Sequence, residues 1–203
     1  MMAWLQTCYG QLEDYFNAGG MVMLPLALVS LVMWLLIADR ALFFARLHRK
    51  TMSAAEARAH VRENRMPDPH RFRGVVSLLV AEFLSRRSEN HDLDRFILDE
   101  AVLKVSRSLN DYLAVLGVLA SIAPLLGLLG TVTGMIATFD VLAVFGTGNA
   151  KAMAGGISEA LITTQTGLLV AIPGLYMKGF LERRARNLRQ RIGVVAYYLR
   201  RYL

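Results

Sequence analysis

Cysteine is nearly absent from this chain, which contains only Cys8. One cysteine cannot form an intrachain disulfide, and a metal centre built on several cysteines is excluded. The sequences G-x-x-x-x-G-K-[ST] and H-E-x-x-H are also missing, so neither a P-loop nucleotide site nor that type of metalloprotease is expected. None of the four histidines lies in an apolar run, where an intramembrane Ser–His protease would need one. The sequence therefore predicts no enzyme, no metal and no cofactor.

Charge is absent from three long apolar runs. Residues 21–38 and 160–177 are uncharged over 18 positions each, and residues 112–139 over 28 positions. A membrane-spanning helix needs about 20 mostly apolar residues. The chain is therefore predicted to be an all-α membrane protein with three transmembrane helices. The alternative, three core helices of a soluble protein, is disfavoured because a chain of 203 residues can hardly bury three such runs.

Lysine and arginine are missing from residues 1–20, and the segment between the second and third runs has only Lys151. Residues 40–111 hold 14 of the 23 basic residues, and residues 178–203 hold eight more. Because basic residues accumulate on the cytoplasmic side, we expect a periplasmic N-terminus and a cytoplasmic C-terminus. The missing basic n-region also favours a permanent first span over a cleavable signal. The net charge of +7 is thus interpreted as a topology signal, and nucleic-acid binding is not expected.

These patterns divide the chain into seven predicted segments. They are a periplasmic N-terminal segment 1–20, a first span 21–39, a cytoplasmic helical domain 40–111, a second span 112–140, a periplasmic loop 141–157, a third span 158–178 and a cytoplasmic C-terminal helix 179–203.

Proline and glycine positions predict where helices break. Residues 66–74 contain two prolines and a glycine, which should separate two cytoplasmic helices. From residue 91 no proline or glycine occurs before Gly117, so the second span is expected to continue into the cytoplasm as one helix. The glycine-rich stretch 146–156 is predicted to be a flexible connection.

Apolar residues recur at alternating spacings of four and three in the C-terminal tail. They are Leu181, Ala185, Leu188, Ile192, Val195, Leu199 and Tyr202. Such a heptad seam predicts that the third span continues as a helix and packs on the other cytoplasmic helices and on neighbouring subunits. A basic amphipathic helix lying on the membrane is the alternative.

Small side chains recur every three or four residues in the second run. They are Ala120, Ala123, Gly127, Gly130, Thr131 and Gly134. This stripe predicts close packing against another membrane helix. The hydroxyl of Thr131 has two possible roles, because it can bond back to the preceding turn or face a water-filled passage. Pro124 is predicted to kink the helix.

The third run is bordered by a carboxylate, Glu159, and contains the polar residues Thr163, Thr164, Gln165 and Thr166. Glu159 is either a solvated residue near a helix N-terminus or a functional group. On an ideal helix Thr163 and Thr166 share its face, whereas Thr164 lies about 140° away. Polar groups on more than one face indicate a helix surrounded by protein or water, which implies association.

The segments GLLGTVTGMIATF and GISEALITTQTGLLVAIPG resemble the two signature segments of the MotA/TolQ/ExbB proton-channel family. The order of one span, a cytoplasmic domain, two spans and a basic tail resembles the ExbB/TolQ branch, whereas the flagellar stator branch usually has a further span. The resemblance implies a multi-pass protein of the bacterial inner membrane. It also implies a homo-pentamer around a central pore, with an ExbD- or TolR-like single-span partner inside that pore.

The resemblance also implies roles for individual residues. By motif position Thr131 is the family's polar residue of the second span, Glu159 is its acid, and Thr164 is the hydroxyl five residues later. These three are the predicted proton-pathway residues, and Pro173 matches the family's kink in the third span. Thr163, Gln165 and Thr166 are further polar pore or interface candidates. Gln165 and Thr166 replace residues that are apolar in the best-known ExbB.

The function implied is a motor or channel subunit driven by the proton-motive force. With an ExbD-like partner it would energise a TonB-like protein for active transport across the outer membrane. The alternatives are a TolQ-type subunit acting with a TolA-like protein in envelope integrity, and a non-conducting membrane scaffold. We expect Thr131 and Thr164 to solvate the proton path, Glu159 to set the field near its outer mouth, and the partner to supply a mid-membrane carboxylate.

Overall fold

The computed structural model describes residues 10, 15–16, 18–48, 52–68, 72, 74–88 and 90–202. Over these residues the chain is helical and has no β-strand. The helices are α1 (Met23–His48), α2 (Ala54–Arg62), α3 (Val75–Leu84), α4 (His91–Ser108), α5 (Leu113–Phe145) and α6 (Ala150–Arg200), with a 3₁₀ turn at Gly146–Gly148. Cys8 and most of the predicted segment 1–20 lie outside the described residues.

Three of these helices, α1, α5 and α6, contain stretches long and apolar enough to cross a membrane. The predicted all-α class is therefore confirmed, and so are three helices with the length and apolar character that a membrane span needs. The helices extend beyond the apolar runs. Helix α1 continues to His48, and α6 covers 51 residues from Ala150 to Arg200. The predicted helix break around residues 66–74 is also confirmed, since α2 ends at Arg62 and α3 begins at Val75.

The predicted flexible connection over residues 146–156 is wrong for most of its length. Only residues 146–149 lie outside α-helix, and α6 begins at Ala150. The side chain of Asn149 caps this helix by accepting a hydrogen bond from the N–H of Ala152, at 3.2 Å. Glycine weakens an isolated helix, but Gly156 packs directly on Thr138 of α5, and this packing offsets the low helix propensity.

The prediction of one unbroken helix from residue 91 through the second span is also wrong. Helix α4 ends at Ser108 and α5 begins at Leu113, because Tyr112 has a φ of 62° in the left-handed region. Nη1 of Arg40 donates to the carbonyl oxygen of Ser108 at 3.2 Å, and its guanidinium lies 4.6 Å from the ring centroid of Tyr112. Nη2 of Arg189 donates to Oδ1 of Asn110 at 2.7 Å. These contacts with distant residues stabilise the break.

The chain forms two compact units, and the first comprises Met1–Ile37 and Val115–Met177. Its interior contains Leu26 and Met33 of α1 with Leu116, Ala120 and Ala123 of α5. These side chains are 0–1% exposed. Much of the remaining surface is apolar and open in the single chain, including leucines 24, 28, 31 and 35 of α1.

The second unit comprises Ala38–Ala114 and Lys178–Leu203. Six of the predicted seam residues of α6 are buried in its core, together with Phe83, Leu98 and Leu109. The seam is therefore confirmed as the surface that packs on the other helices of this unit. Tyr202 is the exception, because α6 ends before it and the residue is 55% exposed under the guanidinium of Arg58.

Candidate functional site

The small-residue stripe of α5 lies directly against α6. A methyl group added to Gly127 would stand 3.0 Å from the carbonyl oxygen of Thr163, and one added to Gly134 would stand 2.7 Å from that of Gly156. Helix α6 contributes a matching stripe of small residues, namely Gly156, Ala160, Thr163, Gly167, Ala171 and Gly174. The close-packing interpretation of the glycines is thus confirmed, since larger side chains would force the two backbones apart.

Thr163 is fully buried in this helix pair. Its side chain packs on Gly130, where an added methyl group would overlap it. Its hydroxyl oxygen lies 3.0 Å from the carbonyl oxygen of Glu159 and 2.9 Å from that of Ala160, so it bonds back to its own helix. The hydroxyl is therefore satisfied without any partner outside α6.

Thr164 points to the facing helix instead. Its hydroxyl donates to the carbonyl oxygen of Gly127, 3.1 Å away on α5, and the side chain is half-buried. Interhelical hydrogen bonds of this kind contribute about 0.6 kcal/mol in membrane proteins. Thr164 consequently links α6 to the glycine stripe of α5.

The hydroxyl of Thr131 bonds back to the preceding turn of its own helix, which is one of its two predicted roles. Its hydroxyl donates to the carbonyl oxygen of Leu128 at 2.6 Å, one turn earlier in α5. The residue is half-buried at the edge of the face that meets α6. Because the hydroxyl donates its proton to a backbone carbonyl and accepts no hydrogen bond there, its oxygen has lone pairs for an incoming donor.

Glu159 lies against the backbone of Gly20. Helix α6 begins nine residues earlier, at Ala150, so Glu159 is not in the first turn and the helix-N-terminus interpretation is wrong. The carboxylate fills the space beside the Cα of Gly20, where an added methyl group would overlap Oε1 and stand 2.7 Å from Cδ. Among the described residues no cation or hydrogen-bond donor pairs with this half-buried carboxylate.

Thr166 contacts the same stretch of chain through Tyr15. Its hydroxyl donates to the carbonyl oxygen of Ile162 at 2.7 Å, and its oxygen lies 2.8 Å from the hydroxyl of Tyr15. A hydroxyl has one proton, so Tyr15 donates and Thr166 accepts. Gln165, next to it in sequence, is exposed in the single chain.

The candidate polar residues of α6 thus have different neighbours. Glu159 and Thr166 contact residues that precede α1, whereas Thr163 and Thr164 contact α5. The helix is continuous through all of them. Glu159 and Thr164 therefore do not share a face within one chain. Pro124 and Pro173 lie inside α5 and α6, and the predicted kinks stay predictions.

Sequence reasoning missed Tyr15 and Gly20, which precede α1 and contact Thr166 and Glu159 of α6. The only local signal is the pair Gly19 and Gly20 ahead of the first apolar run. The small-residue stripe of α6 was also missed, although its spacing of three and four is readable in the sequence. Within the part of the chain that the structure describes, no group of three or more His, Cys, Asp or Glu residues could hold a metal.

Comparison with known proteins gives one family match, to the MotA/TolQ/ExbB proton channel family over residues 58–193. Biopolymer transport protein ExbB of Salmonella typhimurium is 30% identical over 191 residues, which cover 86% of this chain and 77% of that protein. The putative biopolymer transport protein ExbB-like 1 of Synechocystis sp. is 34% identical over 172 residues, which cover 80% of this chain and 67% of that protein. Biopolymer transport protein ExbB of Aquifex aeolicus is 39% identical over 118 residues, which cover 57% of this chain and 76% of that protein. Thr131, Glu159 and Thr164 all lie within the family match.

Proposed function

This chain belongs to the MotA/TolQ/ExbB proton channel family, and we propose that it is a motor or channel subunit driven by the proton-motive force. With an ExbD-like single-span partner it energises a TonB-like protein for active transport across the outer membrane. It spans the bacterial inner membrane with its N-terminus in the periplasm and its C-terminus in the cytoplasm. The ExbB names of the relatives described above favour this role over a TolQ-type role in envelope integrity.

The observation that carries the proposal is the half-buried carboxylate of Glu159 within an apolar helix, without a cationic partner among the described residues. An ionisable group within a membrane span costs free energy, and such groups mark ion and proton pathways. Within the part of the chain that the structure describes, no ion pair compensates the charge of Glu159. A contribution of this carboxylate to the electric field along a proton path explains why the charge is placed there.

The exposed surface of the spanning helices supports association with further chains, and a homo-pentamer is the assembly that we propose. Only 22%, 33% and 28% of the most apolar 18-residue stretches of the three spanning helices is buried inside the chain. Most of the rest can face lipid, but the exposed amide of Gln165 cannot be satisfied there. This polar side chain favours a surface that faces a neighbouring subunit or a hydrated pore.

The two hydroxyls assigned to the proton path have a common arrangement. Thr131 and Thr164 each donate their proton to a backbone carbonyl, so the lone pairs of their oxygens remain for an incoming donor. Acceptor groups of this kind suit a path for hydrated protons. Each proton that crosses the membrane releases about 2.3 kcal/mol per 100 mV. The mid-membrane carboxylate that exchanges these protons belongs to the partner.

The proposal is tested by transport in cells that lack their own copy of this protein. Glu159→Ala should leave expression and assembly intact but abolish energy-dependent uptake through the outer membrane. Asp140→Asn is the matched control, because it removes an exposed carboxylate at the outer end of α5. Full uptake in the Glu159→Ala strain would contradict the proposal and favour a structural scaffold.

A further inference from the structure

Residues 15–16 and 18–20 precede α1 and are here called the pre-span segment; they run beside α6, and two of their contacts reach its polar side chains. Gly20 meets the carboxylate of Glu159, and the hydroxyl of Tyr15 lies 2.8 Å from that of Thr166. Glu159 and Thr166 are seven residues apart, so they lie about two turns, or roughly 10 Å, apart on one face of the helix. The segment therefore follows the face of α6 that carries the acid.

Glycine at position 20 is required for two separate reasons. Its φ of 65° lies in the left-handed region, which strains residues that have a Cβ. The place of that Cβ is also occupied, because it would overlap Oε1 of Glu159. The backbone of Gly20 thus forms the surface on which the carboxylate rests.

The pre-span segment is also anchored through residues that precede Gly20. Phe16 packs on an apolar cluster that includes Met23, Leu26 and Ala171. Gly19 lies close to Ile162, whose Cγ2 would be 3.4 Å from a methyl group added there. Together with the Tyr15–Thr166 hydrogen bond, these contacts hold Gly20 in place against Glu159.

We propose that Gly20 is a positioning residue for Glu159, and that the pre-span segment shields this carboxylate on one side. The proposal rests on the function proposed above, because it concerns the acid that acts there. Since no described side chain pairs with the carboxylate, its position is set by contact with the backbone of Gly20 rather than by an ion pair.

A single methyl group tests this contact. In Gly20→Ala the new Cβ meets the far end of the Glu159 side chain, which can rotate away without unfolding α6. Gly146→Ala is the matched control, because Gly146 has a φ of 60° and nothing within 4 Å of an added Cβ. Both variants strain a left-handed backbone position, and only one of them displaces the carboxylate.

The measurement is covalent labelling of Glu159 in the assembled full-length complex. A water-soluble carbodiimide activates exposed carboxyl groups, glycine ethyl ester then displaces the urea to form an amide, and mass spectrometry follows the modified peptide. Gly20→Ala should raise the labelling rate of Glu159 several-fold and lower energised uptake. Gly146→Ala should keep the wild-type rate. Equal rates in all three proteins would overturn the proposal.

Tyr15→Phe keeps the test decisive if Gly20→Ala does not assemble. It removes only the hydroxyl that bonds Thr166, so it should loosen the segment and raise the labelling rate by a smaller factor. A wild-type rate in Tyr15→Phe together with loss of assembly in Gly20→Ala would also overturn the proposal. The labelling rate does not depend on transport. Full uptake in Glu159→Ala would contradict the proposed function, whereas a raised labelling rate in Gly20→Ala would still support the Gly20 contact.

Discussion

The hydroxyl of Thr164 donates a hydrogen bond to the carbonyl oxygen of Gly127, 3.1 Å away on the facing helix. The carboxylate of Glu159, five residues earlier, lies against Gly20 instead. One helix therefore presents two residues of the family motif to two different neighbours. A proton path that uses both must be completed by groups outside this chain, which agrees with the proposed pentamer and its single-span partner.

Replacing Thr164 should separate activity from stability. Thr164→Val keeps the shape of the side chain but removes the hydroxyl, so the bond to Gly127 and the acceptor lone pairs are both lost. We expect a loss of stability near 0.6 kcal/mol, typical of such bonds, and a much larger loss of energised uptake. Uptake assays and thermal unfolding of the purified protein measure the two effects. Thr164→Ser retains the hydroxyl and should retain most activity; equal uptake in both variants would contradict the assignment.

Two glycines of α6 should respond oppositely to alanine. In Gly167→Ala the methyl group would stand 2.7 Å from the carbonyl oxygen of Ala123, so the helices must separate at a cost of about 1–3 kcal/mol. In Gly155→Ala the methyl group meets nothing within 4 Å, so the higher helix propensity of alanine should stabilise the protein by up to about 1 kcal/mol. Midpoints of thermal unfolding in detergent compare the two, and shifts of the same sign would show that α5 and α6 do not pack this closely.

Arg40 should stabilise the break between α4 and α5. Its side chain is about nine-tenths buried, bonds the carbonyl oxygen of Ser108 and lies over the ring of Tyr112. Arg40→Ala should cost about 1–3 kcal/mol, because a carbonyl loses its partner and the ring loses its cation. Arg46→Ala, an exposed position on the same helix, should change stability by less than about 0.5 kcal/mol. The free energy of unfolding in denaturant checks both, and equal values would contradict this role for Arg40.

The sequence predicted the features that depend on periodicity and run length. Three apolar runs gave the spanning helices, and the heptad seam gave the buried face of the C-terminal helix from Leu181 to Leu199. Both patterns are local, because a span or an amphipathic helix repeats its signal every turn. The glycine stripe of α5 was readable for the same reason.

The features that were missed depend on residues far apart in the chain. The break at Tyr112 follows from contacts with Arg40 and Arg189, and no proline or glycine marks it. The contact of Gly20 with Glu159 likewise joins the start of the first span to the third. Tertiary contacts of this kind override local propensity, so a single sequence does not reveal them.

Proton flux through the reconstituted complex is the decisive measurement for the proposed role of Glu159. The chain and its ExbD-like partner are purified together and placed in liposomes that contain a pH-sensitive dye, and a potassium gradient with valinomycin imposes the potential. We expect flux for the wild-type protein and for Asp140→Asn, and none above empty liposomes for Glu159→Ala. Equal flux in the wild-type and Glu159→Ala complexes, or none in the wild-type complex, would contradict the proposed role.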